Sequence, residues 1–127
     1  MAISVVKRPL SGQADHGLWI NTSGGTVSAT GTTIHTCDPQ STAAHDLVYI
    51  YANNTAAVAI PFKITWGTTA NLMIFSIPAT TYNHPVIEGL EVWGIGAASG
   101  TVLRAGHGSA TQSSVQVFGH YVRYTES

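Results

Sequence analysis

Charge is what this sequence has least of. Asp, Glu, Lys and Arg make up only 9% of its 127 residues, against about 25% in an average soluble domain. The five basic residues, Lys7, Arg8, Lys63, Arg104 and Arg123, are scattered. A phosphate backbone is neutralised by clustered Lys and Arg, so nucleic acid is excluded as the main partner. With a single cysteine, Cys37, the chain makes no internal disulfide, and the fold rests on packing alone. No apolar run approaches the length of a membrane span. Residues 1–8 show neither the apolar core nor the cleavage site of a signal peptide, so the expectation is synthesis in a cytoplasm and no membrane partner. Sustained helical periodicity is missing too.

Thr, Ser, Gly, Ala and Asn take the place of the charges. They cover a surface without giving it a strong field, and a net charge of −1 leaves little repulsion between copies. Such a surface suits a component packed closely against neighbours. It suits an extracellular β domain as well.

Short runs rich in Val, Ile, Thr and Tyr, separated by Gly, Asn, Pro and Ser, predict an all-β chain. Strands are expected at 3–8, 16–20, 32–37, 46–52, 58–66, 72–77, 86–93, 101–105 and 114–124. Turn signals fall at Ser23-Gly24-Gly25, Asp38-Pro39, Gly67-Thr68-Thr69, Asn83-His84-Pro85, Gly94-Ile95-Gly96 and Gly106-His107-Gly108. Eight or nine such strands in 127 residues predict one β-sandwich domain spanning 1–127, of jelly-roll or Greek-key type.

In 58–66, Val58, Ile60, Phe62, Ile64 and Trp66 share one face. Pro61 argues for an edge strand or a bulge there. The run 46–52 is apolar on both faces, so Tyr49 and Tyr51 are expected to need cover from a loop or a neighbouring subunit. Asn53-Asn54 reads as a hairpin turn joining 46–52 to 58–66. Residues 1–12 read either as an extended arm or as the first strand of the domain. As an arm, Ile3, Val5, Lys7 and Arg8 would add a strand to a neighbour's sheet.

The search for chemistry returns no assignment. His35-Thr36-Cys37-Asp38 puts three potential ligands close together, but a structural zinc site takes about four, and no second cysteine exists. Nothing near Cys37 in sequence lowers a thiol pKa. Glu88 and Glu91 are an odd number of residues apart, which puts them on opposite faces of a regular strand. No catalytic residue, cofactor or metal ligand is assigned. Tyr82, Trp93 and Tyr124 are the candidates for a sugar-stacking platform, the alternative to a purely structural role.

Several segments carry a resemblance: Gly31-Thr32-Thr33-Ile34-His35-Thr36, then Asp46-Leu47-Val48-Tyr49-Ile50-Tyr51-Ala52-Asn53-Asn54-Thr55. Lys63-Ile64-Thr65-Trp66-Gly67-Thr68-Thr69, Ser76-Ile77-Pro78 and Val117-Phe118-Gly119-His120-Tyr121-Val122 follow. In that order they resemble virion structural proteins of tailed phages, in particular the head decoration, or cement, proteins. The resemblance covers about 31–122. It implies a sandwich or jelly-roll unit, often a homotrimer, that binds the major capsid protein on the outer surface of the head and clamps capsomer junctions. It carries over no functional residues, and residues 1–30 lie outside it.

Overall fold

A computed structural model describes residues 3–13, 19–22, 31–37, 44–66, 68–93, 101–108 and 115–126. These form nine strands and no helix: β1 (Ile3–Pro9), β2 (Ile20–Asn21), β3 (Thr32–Cys37), β4 (Ala44–Asn54), β5 (Ile60–Trp66), β6 (Thr68–Ile77), β7 (Thr81–Trp93), β8 (Thr101–His107) and β9 (Val115–Glu126). One antiparallel sheet runs β1-β9-β4-β7, with β2 also on β9, and the other runs β3-β8-β5-β6.

The pairs β2–β9, β3–β8, β4–β7 and β5–β6 nest inside one another, as in a single ribbon folded double. The pairs β4–β9 and β5–β8 then roll that ribbon into two sheets. This is jelly-roll order. The inner face of β4 contributes Val48, Ile50 and Ala52, met across the sandwich by Ile60, Phe62 and Ile64 of β5. Val115 and Val117 of β9, Leu103 of β8 and Ile77 of β6 are among the residues that complete the core.

The hairpin expected across 46–66 does not form. β4 pairs with β7 and β9, and β5 lies in the opposite sheet. Residues 55–59 cross between the sheets, and Val58, expected on the core face, is 65% exposed. Asn53 and Asn54 make no turn: they end β4 with buried side chains. Asn54 Nδ2 lies 2.9 Å from the carbonyl oxygen of Val58 and 3.1 Å from those of Ile77 and Pro78. Its Oδ1 accepts the Ala56 N–H at 2.9 Å. Asn53 Oδ1 accepts the Asn83 N–H at 2.8 Å. Two residues that look like turn formers therefore pin the crossing. Asn54→Ala removes the partner of the buried Ile77 contact and of three part-buried ones, with an expected loss of about 2–3 kcal/mol in urea unfolding.

Other expectations shift similarly. Pro61 sits in an interior strand, but just past Phe62↔His107, the last registered pair with β8. Its carbonyl accepts the Gly108 N–H at 2.8 Å, so the missing donor falls at the fringe of the ladder. Asn83-His84-Pro85 lies inside β7 rather than in a turn, with Asn83 at φ 55°. Gly106 and His107 end β8, buried. Thr68 and Thr69 begin β6. Residues 16–18, 23–25, 38–39, 67 and 94–96 lie outside the described residues. The first strand belongs to its own domain: β1 pairs along its length with β9 and forms the margin of the five-stranded sheet.

Candidate functional site

The outer face of the five-stranded sheet is built by alternation. Along β4, Asp46, Val48, Ile50 and Ala52 turn inward and are buried, which turns His45, Leu47, Tyr49 and Tyr51 outward. Along β9, Val117 and Tyr121 are buried, and Phe118, His120, Val122 and Tyr124 face out. The register sets these residues side by side as Tyr51↔Phe118, Tyr49↔His120, Leu47↔Val122 and His45↔Tyr124.

Three of these pairs are ring stacks. The centroids lie 5.3 Å apart in Tyr51–Phe118, 4.7 Å in Tyr49–His120 and 5.2 Å in His45–Tyr124. Trp19, 42% exposed, meets Phe118 edge-on at 4.4 Å. Stacking in these geometries adds to area burial, so part of the cover expected from elsewhere for Tyr49 and Tyr51 comes from β9. The rings stay half-exposed. Burial, together with the nearby Lys7 ammonium, holds His120 below the usual imidazole range.

The margins of this face carry opposite charge. On β1, Lys7 pairs with Val122 and Val5 with Tyr124, so both face outward. On β7, Glu91 pairs with Leu47 and Glu88 with Tyr49. Both glutamates therefore share the outer face, contrary to the expectation for a regular strand. The register shift between Val48 and Tyr49, with Gly89 at φ 90°, inserts the extra residue that brings them together. Beside β1, Lys7, Arg8, Gln13, Phe118 and His120 line an open groove of about 400 Å³.

Of the residues read as partner-binding, Val5, Lys7, Tyr49 and Tyr51 meet on this face. Arg8 pairs with Tyr121 and turns to the other side of β1. Ile3 lies opposite Glu126 at the start of the strand. Among the sugar-stacking candidates, Tyr124 is in the ladder, Tyr82 is 60% exposed at the far end of β7, and Trp93 lies opposite His45. Phe118, His120 and His45 were not singled out from the sequence as part of such a face, since their alignment depends on the β4–β9 register.

A second constellation was also missed. The Ser11 N–H donates to His35 Nδ1 at 3.2 Å, with Ser11 Oγ 3.1 Å from the same nitrogen. Because an amide N–H is always a donor, Nδ1 is the acceptor, and the ring proton sits on Nε2. Nε2 then donates to Asp46 Oδ2 at 2.7 Å. Arg123 clasps the same carboxylate, from Nε to Oδ1 at 2.7 Å and from Nη2 to Oδ2 at 2.9 Å. His35 and Asp46 are fully buried. Burial pushes the Asp46 carboxyl up, but the Arg123 and His35 hydrogen bonds and charges outweigh it and bring the pKa down to about 2.

Serine, histidine and aspartate in series invite comparison with an acyl-transfer triad. Such a triad also uses free amides to hold an oxyanion. Here the amides around Ser11 are occupied. Ser11 donates to His35, Gly12 to Ile34 O, Gln13 to Leu10 O, and Thr36 to Ser11 Oγ at 2.8 Å. What the arrangement does do is tie the turn after β1 to β3, β4 and β9. Cys37, beside Asp46, donates its thiol to Val92 O at 3.4 Å, and burial followed by the Asp46 charge pushes its pKa up to about 12. A thiol in that state is a poor nucleophile. Both ring nitrogens of His35 are engaged, and no metal-ligand cluster occurs among the described residues.

Comparison with protein-family models, curated proteins and solved structures returned no match.

Proposed function

We propose that this chain is a non-enzymatic decoration protein of a tailed-phage head, binding the major capsid protein on the outer surface and stabilising capsomer junctions. The observation that carries the proposal is the outer edge of β1, which pairs with β9 on one side and with no other strand among the described residues. Antiparallel ladders alternate between residues bonded to the neighbour and residues pointing away. Since the Leu10 N–H bonds Gly119 O at the end of the β1 ladder, Val6 and Arg8 bond to β9. Val5, Lys7 and Pro9 then direct their backbone groups to the free edge.

That edge offers the main-chain groups of Val5 and Lys7 for strand addition. Pro9 and the flanking cations blunt it against indiscriminate pairing. The low charge density supports the same reading, because a neutral β surface is buried with little ion desolvation. Modest contacts suffice when several copies act together.

The test is co-sedimentation with heads lacking the protein. Saturable binding at a lattice-matched copy number is expected, and Val5→Pro, which removes an edge donor and leaves the β9 ladder intact, is expected to abolish it. No binding by the unmodified chain would overturn the proposal.

A specific observation favours a second reading. The half-exposed rings of Trp19, Phe118, Tyr51, Tyr49 and His120 form a platform of the kind that stacks on sugar rings, which suits a glycan- or receptor-binding module of a tail or fibre. A tryptophan fluorescence change with glycans, in a protein indifferent to heads, selects that reading.

A further inference from the structure

Four strands of the five-stranded sheet share one row across the outer face: Lys7 on β1, Val122 on β9, Leu47 on β4 and Glu91 on β7. The row starts with a cation, ends with an anion and has two half-buried aliphatic side chains between them. The next row is Pro9, His120, Tyr49 and Glu88, and the row on the other side is led by Val5, Tyr124 and His45. The charged margins, β1 and β7, are the two ends of the strand order.

We infer that this face packs against the same face of a second copy of the chain, about a two-fold axis running along the strands. That rotation exchanges left and right margins and keeps each row level with itself. It brings Lys7 of each copy over Glu91 of the other, with Glu88 one row away. It sets Val122 against Leu47, His120 against Tyr49, Phe118 against Tyr51 and Tyr124 against His45, so the central side chains meet their chemical kind and the Lys7 row meets its opposite charge. A face-to-face axis running across the strands would set Lys7 over Lys7 and Glu91 over Glu91. Charge therefore selects the axis, and isologous pairing doubles every contact. Stacked sheets of this kind lie about 10 Å apart at a crossing angle near 30°.

The size of the face sets the strength. Four strands about 4.8 Å apart, and alternate residues 45 to 51 at about 3.3 Å per residue, give a projected footprint of roughly 400 Å². That is at the small end of specific interfaces, so the dimer is expected to dissociate on dilution. The pairing leaves the in-plane edge of β1 free, and does not depend on head binding.

Sedimentation velocity over a concentration series, without heads, is the test. The unmodified chain is expected to pass from one-chain to two-chain mass. Lys7→Glu and Glu91→Lys each place like charges opposite each other twice per dimer, and each is expected to weaken association about tenfold or more. The double reversal Lys7→Glu/Glu91→Lys restores the opposed charges and is expected to recover most of the affinity. Far-ultraviolet circular dichroism and melting confirm that each variant folds. A monomer at every concentration, a trimeric mass, or a double variant no better than the singles would overturn the inference. Head binding by Val5→Pro is scored separately, so neither result decides the other.

Discussion

Arg123→Leu is expected to lower the unfolding free energy by about 3 kcal/mol or more, as breaking a buried ion pair by removing one partner does. Asp46 has no exposed side-chain surface and keeps its charge because Arg123 clasps both oxygens while His35 donates to one. With the guanidinium gone, a buried carboxylate is left with His35 alone. The double variant Asp46→Leu/Arg123→Leu is expected to lose much less than the sum of the two single changes, because it removes both charges together.

The same pair sets an acid limit. The Asp46 pKa is about 2 in the fold against 3.8 for the free side chain. A depressed carboxylate stabilises the fold fully above its unfolded value. Its contribution of about 2 kcal/mol is lost as pH falls from about 4 towards 2. Urea midpoints of the unmodified protein are expected to drop across that window. In Asp46→Asn the drop from this group disappears, so equal acid slopes for the two proteins would contradict the assignment.

Gly119→Ala is expected to be at least as damaging, at about 3 kcal/mol or more, with loss of soluble protein. A Cβ at Gly119 would overlap the Tyr49 carbonyl oxygen and lie 3.0 Å from the Tyr49 carbonyl carbon and 3.2 Å from Ile50 Cα. These are backbone atoms of the neighbouring central strand, which have no rotamer to change. The only relief is to part β9 from β4, and the Tyr49–His120 stack lies beside that seam. Gly89→Ala is the control. There φ is 90°, but a Cβ would meet only the Tyr49 ring, at 3.7 Å or more. The expected cost is the conformational one alone, about 1–2 kcal/mol. Melting temperatures of the two variants separate steric exclusion from backbone strain.

Alternation within strands was legible in the sequence. Ile60, Phe62 and Ile64 declared the core face of β5, and the two-sided apolarity of 46–52 marked Tyr49 and Tyr51 as needing cover beyond the core. Pairing was not legible, because in a jelly roll the partners of β4 are β7 and β9, far along the chain. Asn53-Asn54 has the composition of a tight turn, and nothing local reveals that both amides are used as buried clasps. The glutamates of β7 were assigned to opposite faces because a bulge is invisible to a period of two. The Ser11–His35–Asp46–Arg123 chain spans steps of 24, 11 and 77 residues, and no spacing rule brings such positions together.

The place of β9 has a consequence for how the protein is made. It is last of nine in chain order, yet β1, β2 and β4 all pair with it. Once translated, β1 waits for some 110 further residues before its partner exists, on the order of 5–20 s at ordinary elongation rates. Through that interval the nascent chain carries Val5 and Val6 on a strand with nothing to lie against, and the large sheet closes only once β9 has cleared the ribosome.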